Sequence, residues 1–274
     1  MDDARLFTKR RLDPPAGYFE VEAAGLAWLD AAARTHDGVR VVRVVEVRPD
    51  RLVLPRLAQV PADDAAATEF GRRLAATHAA GAPWFGCPPD GWAGDGYIGP
   101  LPLPHVRHRA SAGEQPDDRP SDVGWGPFFA AHRLLPYARQ ARAAGALSAA
   151  GARAVERVCE RLVAGEDTVC GPAEPPARLH GDLWSGNVLW TPSGVVLVDP
   201  AAHGGHRETD LAMLALFGLP RLQTVLTAYD DAAPLADGWR DRVGLHQLHP
   251  LLVHAVLFDG GYGAQAEAVA RRYA

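Results

Sequence analysis

Between His180 and Asn187 the chain reads His-Gly-Asp-Leu-Trp-Ser-Gly-Asn, and the apolar run Val195-Val196-Leu197-Val198 ends on a further acid, Asp199. Transfer of a phosphoryl group to a hydroxyl is a chemistry that needs this set. It requires a carboxylate that orients the hydroxyl and takes its proton, and oxygen ligands for the Mg²⁺ that shields the phosphate charge. Asp182 suits the first role. Asn187 offers a neutral amide oxygen and Asp199 a carboxylate, both suited to a hard cation. Thr191-Pro192-Ser193-Gly194 reads as a turn, so a short hairpin brings the two ligands together. Asp182 and Asn187 could instead be turn formers. That reading covers a bare His-Gly-Asp. It does not cover an asparagine at plus five followed by an aspartate closing the next apolar strand.

The Asp-to-Asn interval is that of the kinase catalytic loop H-R-D-L-x-x-x-N. Such a site also uses a strand lysine that reaches the nucleotide phosphates, held by a glutamate on the following helix. Lys9 and Glu22 fall in that order. Of 28 basic residues 27 are arginine, so Lys9 is the only lysine, and Asn187 is the only asparagine. In a chain dominated by Ala, Gly, Pro and Arg, those two survivors stand where phosphoryl transfer needs them.

The elements that must position these groups follow from pattern. Residues 5–9 read as a strand, and a helix runs from about 17 to 33 with Phe19, Glu22, Leu26 and Leu29 at helical spacing. Residues 39–47 and 52–54 are β-branched and strand-like, with a turn at Arg48-Pro49-Asp50. From Pro61 the character changes to Ala-rich helices. Asp63 or Asp64 caps a helix that Gly81 ends. Residues 82–124 read as a long surface connection, with Gln115 to Pro120 as its mobile tip. Helices follow at about 126–144 and 148–164, then a strand–loop–strand segment at 177–200 and a helical tail. The expected fold is α+β and two-lobed: a small β-rich lobe over residues 1–60 with a hinge at 55–60, and a larger, mostly helical lobe over 61–274.

Composition excludes several classes. The chain has 274 residues and a net charge of −5, which does not favour wrapping nucleic acid, a task that usually needs a basic face. It has no apolar run long enough for a membrane span, and its acidic start lacks a signal-peptide pattern. Three cysteines without metal-type spacing fit a reduced cytoplasm. His203 and His206 have no third ligand spaced for zinc. Glu208 and Asp210 are expected to brace the loop and cap the next helix.

On these residues the sequence resembles the fructosamine (ketosamine) kinase family, relatives of aminoglycoside and choline kinases. The matching segments are Phe19 to Leu26, His180 to Asn187, Asp199-Pro200-Ala201, Gly205 to Met213 and Leu216-Phe217-Gly218, with Pro234-Leu235, Gly238-Trp239, Gln247-Leu248, His254 and Phe258 in the tail. The loop His-Gly-Asp-Leu-Trp-Ser-Gly-Asn is typical of that family. The resemblance implies a protein-kinase-like fold and ATP- and Mg²⁺-dependent phosphorylation of a sugar hydroxyl in a sugar–amine adduct, which lets the free amine return. By the same carry-over, Trp184 and His254 line the substrate pocket.

The sequence also departs from that pattern. Only eight residues precede Lys9, too few for the usual strand–Gly-rich loop–strand, so weak ATP binding and slow turnover are expected of the chain as given. Leu54-Pro55-Arg56-Leu57 stands at the hinge, where the Pro55 carbonyl and Leu57 amide remain for adenine. Leu101-Pro102-Leu103-Pro104 replaces a polar pair of the family, and Leu219-Pro220 replaces its usual continuation after Phe217-Gly218. Two alternatives therefore stand beside a ketosamine kinase: a kinase for an aminoglycoside or amino alcohol, and a non-catalytic binding protein on the same scaffold.

Overall fold

A computed structural model of the chain describes residues 5–106, 124–258 and 260–274. The segment Gln115 to Pro120 lies outside the described residues. The N-terminal part contains β1 (Leu6–Arg10), α1 (Tyr18–Thr35), β2 (Arg40–Val41), β3 (Glu46–Arg48) and β4 (Arg51–Pro55). β4 is central, antiparallel to β1 on one side and to β3 on the other, with Lys9 opposite Leu52 and Phe7 opposite Leu54. Side chains alternate along a strand, so Phe7 and Lys9 share one face of β1. α1 packs its Phe19, Leu26 and Leu29 stripe inward and buries Glu22 along the same side.

The strand read at 39–47 is two strands. β2 leaves the β1–β4–β3 sheet and pairs in parallel with β9, while β3 begins again at Glu46 against β4. A continuous β-branched run does not reveal that its two ends have different partners. β3 and β4 close on Pro49-Asp50, where proline presets the turn geometry.

α2 (Asp64–Ala79) begins where Asp63 Oδ1 accepts the Ala66 amide at 2.8 Å, and Gly81 follows it with φ 71°. The expected surface connection contains a hairpin, β5 (Gly96–Ile98) and β6 (Leu101–Leu103), turned by Gly99 at φ 54°. Three-residue strands carrying Gly and Pro are too short to show alternation. The helix expected at 126–144 is α3 (Trp125–Phe128), a π-helical stretch over Phe129–Leu134, and α4 (Leu135–Ala143). α5 (Ala149–Ala164) starts at Ser148, whose hydroxyl accepts the Gly151 amide at 2.9 Å.

After α6 (Asp167–Cys170) come β7 (Ala177–Leu179), β8 (Val188–Thr191), β9 (Gly194–Leu197) and β10 (His203–Gly205). β8 and β9 form the hairpin expected from the turn at 191–194, and β10 pairs with β7. α7 (Arg207–Leu216), α8 (Leu222–Ala232), α9 (Trp239–Leu257) and α10 (Tyr262–Tyr273) complete the chain. The largest core gathers α3 to α5 with α9 and α10 around Tyr137, Val155, Val158, Leu162, Leu245 and Leu252, all fully buried. Burial of each such side chain contributes about 1.5–3 kcal/mol, which makes this helical mass a rigid base for the loop between β7 and β8. No helix among the described residues is long and apolar enough to cross a membrane.

Candidate active site

The loop between β7 and β8 is held from beneath. Asp210, on α7, accepts the His180 amide at 2.8 Å and the Gly181 amide at 3.0 Å. His78 Nε2, 3.2 Å away, donates to the same carboxylate, and His78 Nδ1 accepts from the Tyr229 hydroxyl at 2.8 Å. Burial opposes the Asp210 charge, but His78, His180 and the Gly181 amide outweigh it and lower the pKa. His180 donates Nε2–H to the Val198 carbonyl at 2.9 Å and accepts the Asp182 amide on Nδ1 at 3.3 Å. Gly181 has φ 80°, and a Cβ there would collide with the Ala201 carbonyl, so only glycine fits.

Asp182 projects from this braced turn. Burial pushes its carboxyl up to about 7, with Asn187 opposing and Asp199 and Asp210 adding to the rise. Asn187 Nδ2 donates to the Asp182 carbonyl at 2.8 Å and lies 3.3 Å from the Asp182 carboxylate and 3.4 Å from the Asp199 carbonyl. The amide nitrogen is thus committed to the loop, and Oδ1 is the atom left for a cation. Asp199 itself takes φ 56°, a left-handed conformation that aspartate tolerates better than most residues.

Lys9 stands across the cleft. Its Nζ reaches both Glu22 oxygens, at 2.9 and 2.8 Å, and Asp199 Oδ1 at 3.0 Å. Burial disfavours the ammonium, but the two carboxylates outweigh it and raise the Lys9 pKa. Burial also raises the Glu22 pKa against the pull of Lys9. Two short bonds to one ammonium favour the ion pair.

Three cavities meet here. One of about 290 Å³ is lined by Lys9, Glu22, Tyr97, Ile98, Asp182 and Asp199. A second of about 290 Å³ is lined by Phe7, Leu54, Pro55, Leu57, Val198 and Asp199, so Asp199 borders both. The third, about 20 Å³, lies between Asp182, Thr209, Met213, His249 and His254. The structure therefore brings Lys9, Glu22, Asp182, Asn187 and Asp199 together, with Pro55 and Leu57 on the apolar side of Asp199 and His254 beyond Asp182. Trp184 lines none of these cavities. It is 39% exposed, with its ring edge-on to Phe217 at 6.1 Å. Phe217 lies 5.0 Å from His254, which also touches Phe258 and Tyr262. Phe217, just past the end of α7, and Tyr262, at the start of α10, are not predicted as site residues, since single aromatics far apart in sequence carry no pattern that links them.

Two other expectations change. Asp210 braces the loop, but α7 is capped by His206, whose Nδ1 accepts the Glu208 amide at 3.2 Å. Glu208 instead takes Arg242 on both oxygens, at 2.6 and 3.0 Å. His206 does acquire company that spacing did not reveal. His206, Glu208 and His246 bring ligand atoms within 4.8 Å of one another. Arg242 already neutralises that carboxylate and Thr209 engages His246 at 2.9 Å, so the cluster reads as an internal ion pair.

A small sheet-rich part, a larger helical part and this loop between them define a phosphotransferase of the protein-kinase-like class. The fold of an ADP-bound aminoglycoside phosphotransferase matches with a TM-score of 0.56 over 99% of this chain and 87% of that one, at 11% identity. A crystal structure assigned as a fructosamine-3-kinase from Thermobifida fusca matches with a TM-score of 0.82 at 47% identity, over 98% of this chain and 85% of that one. Probable ketoamine kinases of Enterococcus faecium and Thermus thermophilus are 31% identical over 272 residues and 33% identical over 259 residues. Those matches cover 97% and 94% of this chain, and 87% and 83% of the relatives. The fructosamine kinase model matches residues 1–273, and the chain belongs to the fructosamine kinase family. That family implies ATP as the co-substrate.

Proposed function

We propose that this protein transfers the γ-phosphoryl group of ATP to a sugar hydroxyl of a ketosamine, a reaction that prepares the adduct to release its amine. The observation that carries the reading is the meeting of Asp182, Asn187, Asp199 and the Lys9–Glu22 pair around one cleft. Adenine fits the apolar cavity of Phe7, Leu54, Pro55 and Leu57, with the Pro55 carbonyl and Leu57 amide available to its edge. Lys9, fixed by Glu22, is the cation for the phosphates. Asn187 Oδ1 and the Asp199 carboxylate form a hard oxygen pair that suits Mg²⁺, which when bound would neutralise charge on the phosphoryl group.

In this reading Asp182 orients the acceptor hydroxyl and accepts its proton. The acceptor oxygen forms a bond to the γ-phosphorus as the bond to the β,γ-bridging oxygen breaks, and ADP leaves with that electron pair. A raised carboxyl pKa keeps the base basic enough to take a hydroxyl proton at neutral pH. Trp184, Phe217 and His254 offer an aromatic flank to the amine end of the substrate, where a cationic amine gains from ring faces. The N-terminal part to about residue 60 and the remainder act as two lobes hinged at 55–60.

The test is ADP release with ATP and Mg²⁺ against a panel of ketosamines, aminoglycosides and amino alcohols, with Asp182→Asn as the control. Ketosamine-dependent turnover supports the proposal. Turnover on the other acceptors alone assigns a different substrate. Nucleotide binding without transfer to any of them would replace the enzyme with a binding protein.

A further inference from the structure

His249, on the wall of the small cavity beside Asp182, feels the charge of a buried cation that no acidic side chain contacts among the described residues. Arg133, on the π-helical stretch, is 1% exposed. Its Nη1 donates to the carbonyls of Pro104 at 2.8 Å and His132 at 3.1 Å. The guanidinium carbon stands 4.7 Å from the centre of the Phe128 ring. Nε and Nη2 are buried with no hydrogen-bond partner among the described residues. Asp95 acts on Arg133 through space, but its Oδ1 accepts the His105 amide at 3.0 Å. Tyr137 gives its hydroxyl to the Pro102 carbonyl at 2.7 Å.

The neighbouring imidazoles add no anion. Burial, and after it the Arg133 charge, hold His203 and His249 well below the usual histidine range, so both are neutral. His203 donates Nδ1–H to the Ala201 carbonyl at 2.8 Å. His249 Nε2 is buried and, like the two arginine nitrogens, has no hydrogen-bond partner among the described residues. A buried donor left unmet carries its full desolvation penalty, and an ion buried without a counter-charge carries a larger one. Water answers the donors and leaves the charge; an anion answers both. A π-helical turn is itself uncommon and frequent at functional sites.

We propose that Arg133 Nε and Nη2, with His249 Nε2, form an internal receptor for a small monovalent anion of halide size. Arg133 lines none of the three cavities around Asp182, so the proposed occupant is a free ion and not a group carried on a substrate. Such an ion ties the π-helical stretch and the chain after β6 to α9, whose His249 shares the small cavity with Asp182. The proposal is independent of which acceptor the enzyme phosphorylates.

The experiment uses the full chain, exchanged into gluconate and titrated with chloride or bromide at constant ionic strength. The expected result is a saturable rise in Tm of several degrees. Crystals grown or soaked in bromide are expected to show an anomalous peak within hydrogen-bond reach of Arg133 Nε and Nη2. Arg133→Met removes the charge at similar volume and is expected to abolish the halide response. Should that variant fail to fold, the bromide peak in the unaltered protein decides alone. Ordered water at the site with no anomalous peak overturns the proposal, as does an equal halide response in the unaltered protein and Arg133→Met.

Discussion

Asn187 holds Asp182 at two points: its Nδ2 donates to the Asp182 carbonyl at 2.8 Å and lies 3.3 Å from the carboxylate. The five-residue interval is what makes this possible, since a single 3₁₀ turn over Ser185–Asn187 folds the amide back onto the residue that opened the loop. The same asparagine lies 3.4 Å from the Asp199 carbonyl. One amide therefore sets the spacing between the proposed base and the proposed metal carboxylate, and errors there propagate to both.

Asp182→Asn is expected to lower kcat by about 10²–10⁴-fold, the range for loss of a general base. Nucleotide affinity is expected to stay within about threefold, because the role lies in the transition state. Single-turnover phosphoryl transfer and nucleotide titration on the same preparation check both halves. Turnover comparable to the unaltered enzyme would remove Asp182 from the mechanism.

Asn187→Ala and Asp199→Asn are expected to raise the Mg²⁺ concentration needed for half-maximal nucleotide binding by at least tenfold. Nucleotide affinity in excess chelator is expected to change much less. Fluorescence titration of a nucleotide analogue against Mg²⁺ separates the two. An unchanged Mg²⁺ midpoint in both variants excludes this pair as the metal site.

The residues that meet at this cleft were legible because their signals are local. Asp63, Gly81 and Ser148 mark helix ends within one turn of the ends themselves, and the 180–199 segment holds loop, hairpin and both carboxylates in one stretch of chain. What failed was non-local. β2 finds its partner in β9, over 150 residues away, so nothing near Arg40 shows that the strand at 39–47 must divide. The β5–β6 hairpin hides in Gly and Pro because its strands are short and one carries Pro102. Arg133 is a charged residue inside a helical run, and composition assigns such residues to the surface.

Asp210→Ala is expected to cost about 3–5 kcal/mol of stability, since it strands the His180 and Gly181 amides and the His78 ring in the interior at once. Activity is expected to fall even in the fraction that folds, because the loop bearing Asp182 loses its brace. Chemical denaturation gives the first number and active-site-normalised turnover the second. A variant with unaltered denaturation midpoint would show that the amides find other partners.

Trp184 is pinned against Gly186, where a Cβ would strike the indole ring. Gly186→Ala is therefore expected to swing the ring outward and to reproduce Trp184→Ala: KM for the ketosamine raised about tenfold, KM for ATP little changed. Steady-state kinetics with both substrates varied provides the comparison. A rise in the ATP constant for Gly186→Ala alone would point to distortion of the loop and away from the ring.

The raised pKa of Asp182 gives a pH dependence with a fixed sign. Its carboxyl is held up to about 7, chiefly by burial, against an unfolded value near 3.9. As a base it works only when ionised. kcat/KM, which reports the uncomplexed enzyme, is expected to fall about tenfold per pH unit below 7 and to level above it. Stability runs the other way. A carboxyl whose folded pKa is raised favours the folded state fully below the unfolded pKa, and that contribution is lost as pH rises through 7. The loss amounts to about 4 kcal/mol at most, the free-energy equivalent of a carboxyl held at about 7 against roughly 3.9 in the unfolded chain. Asp182→Asn removes this group, so the variant is expected to be more stable than the unaltered protein at pH 8. That advantage is expected to shrink steadily as pH is lowered from 7 toward 4. Denaturant titrations of both proteins across that range give the difference directly. A difference that does not vary with pH would mean that Asp182 titrates near 4 in the folded protein, and the acid limb of kcat/KM would then have to belong to another group.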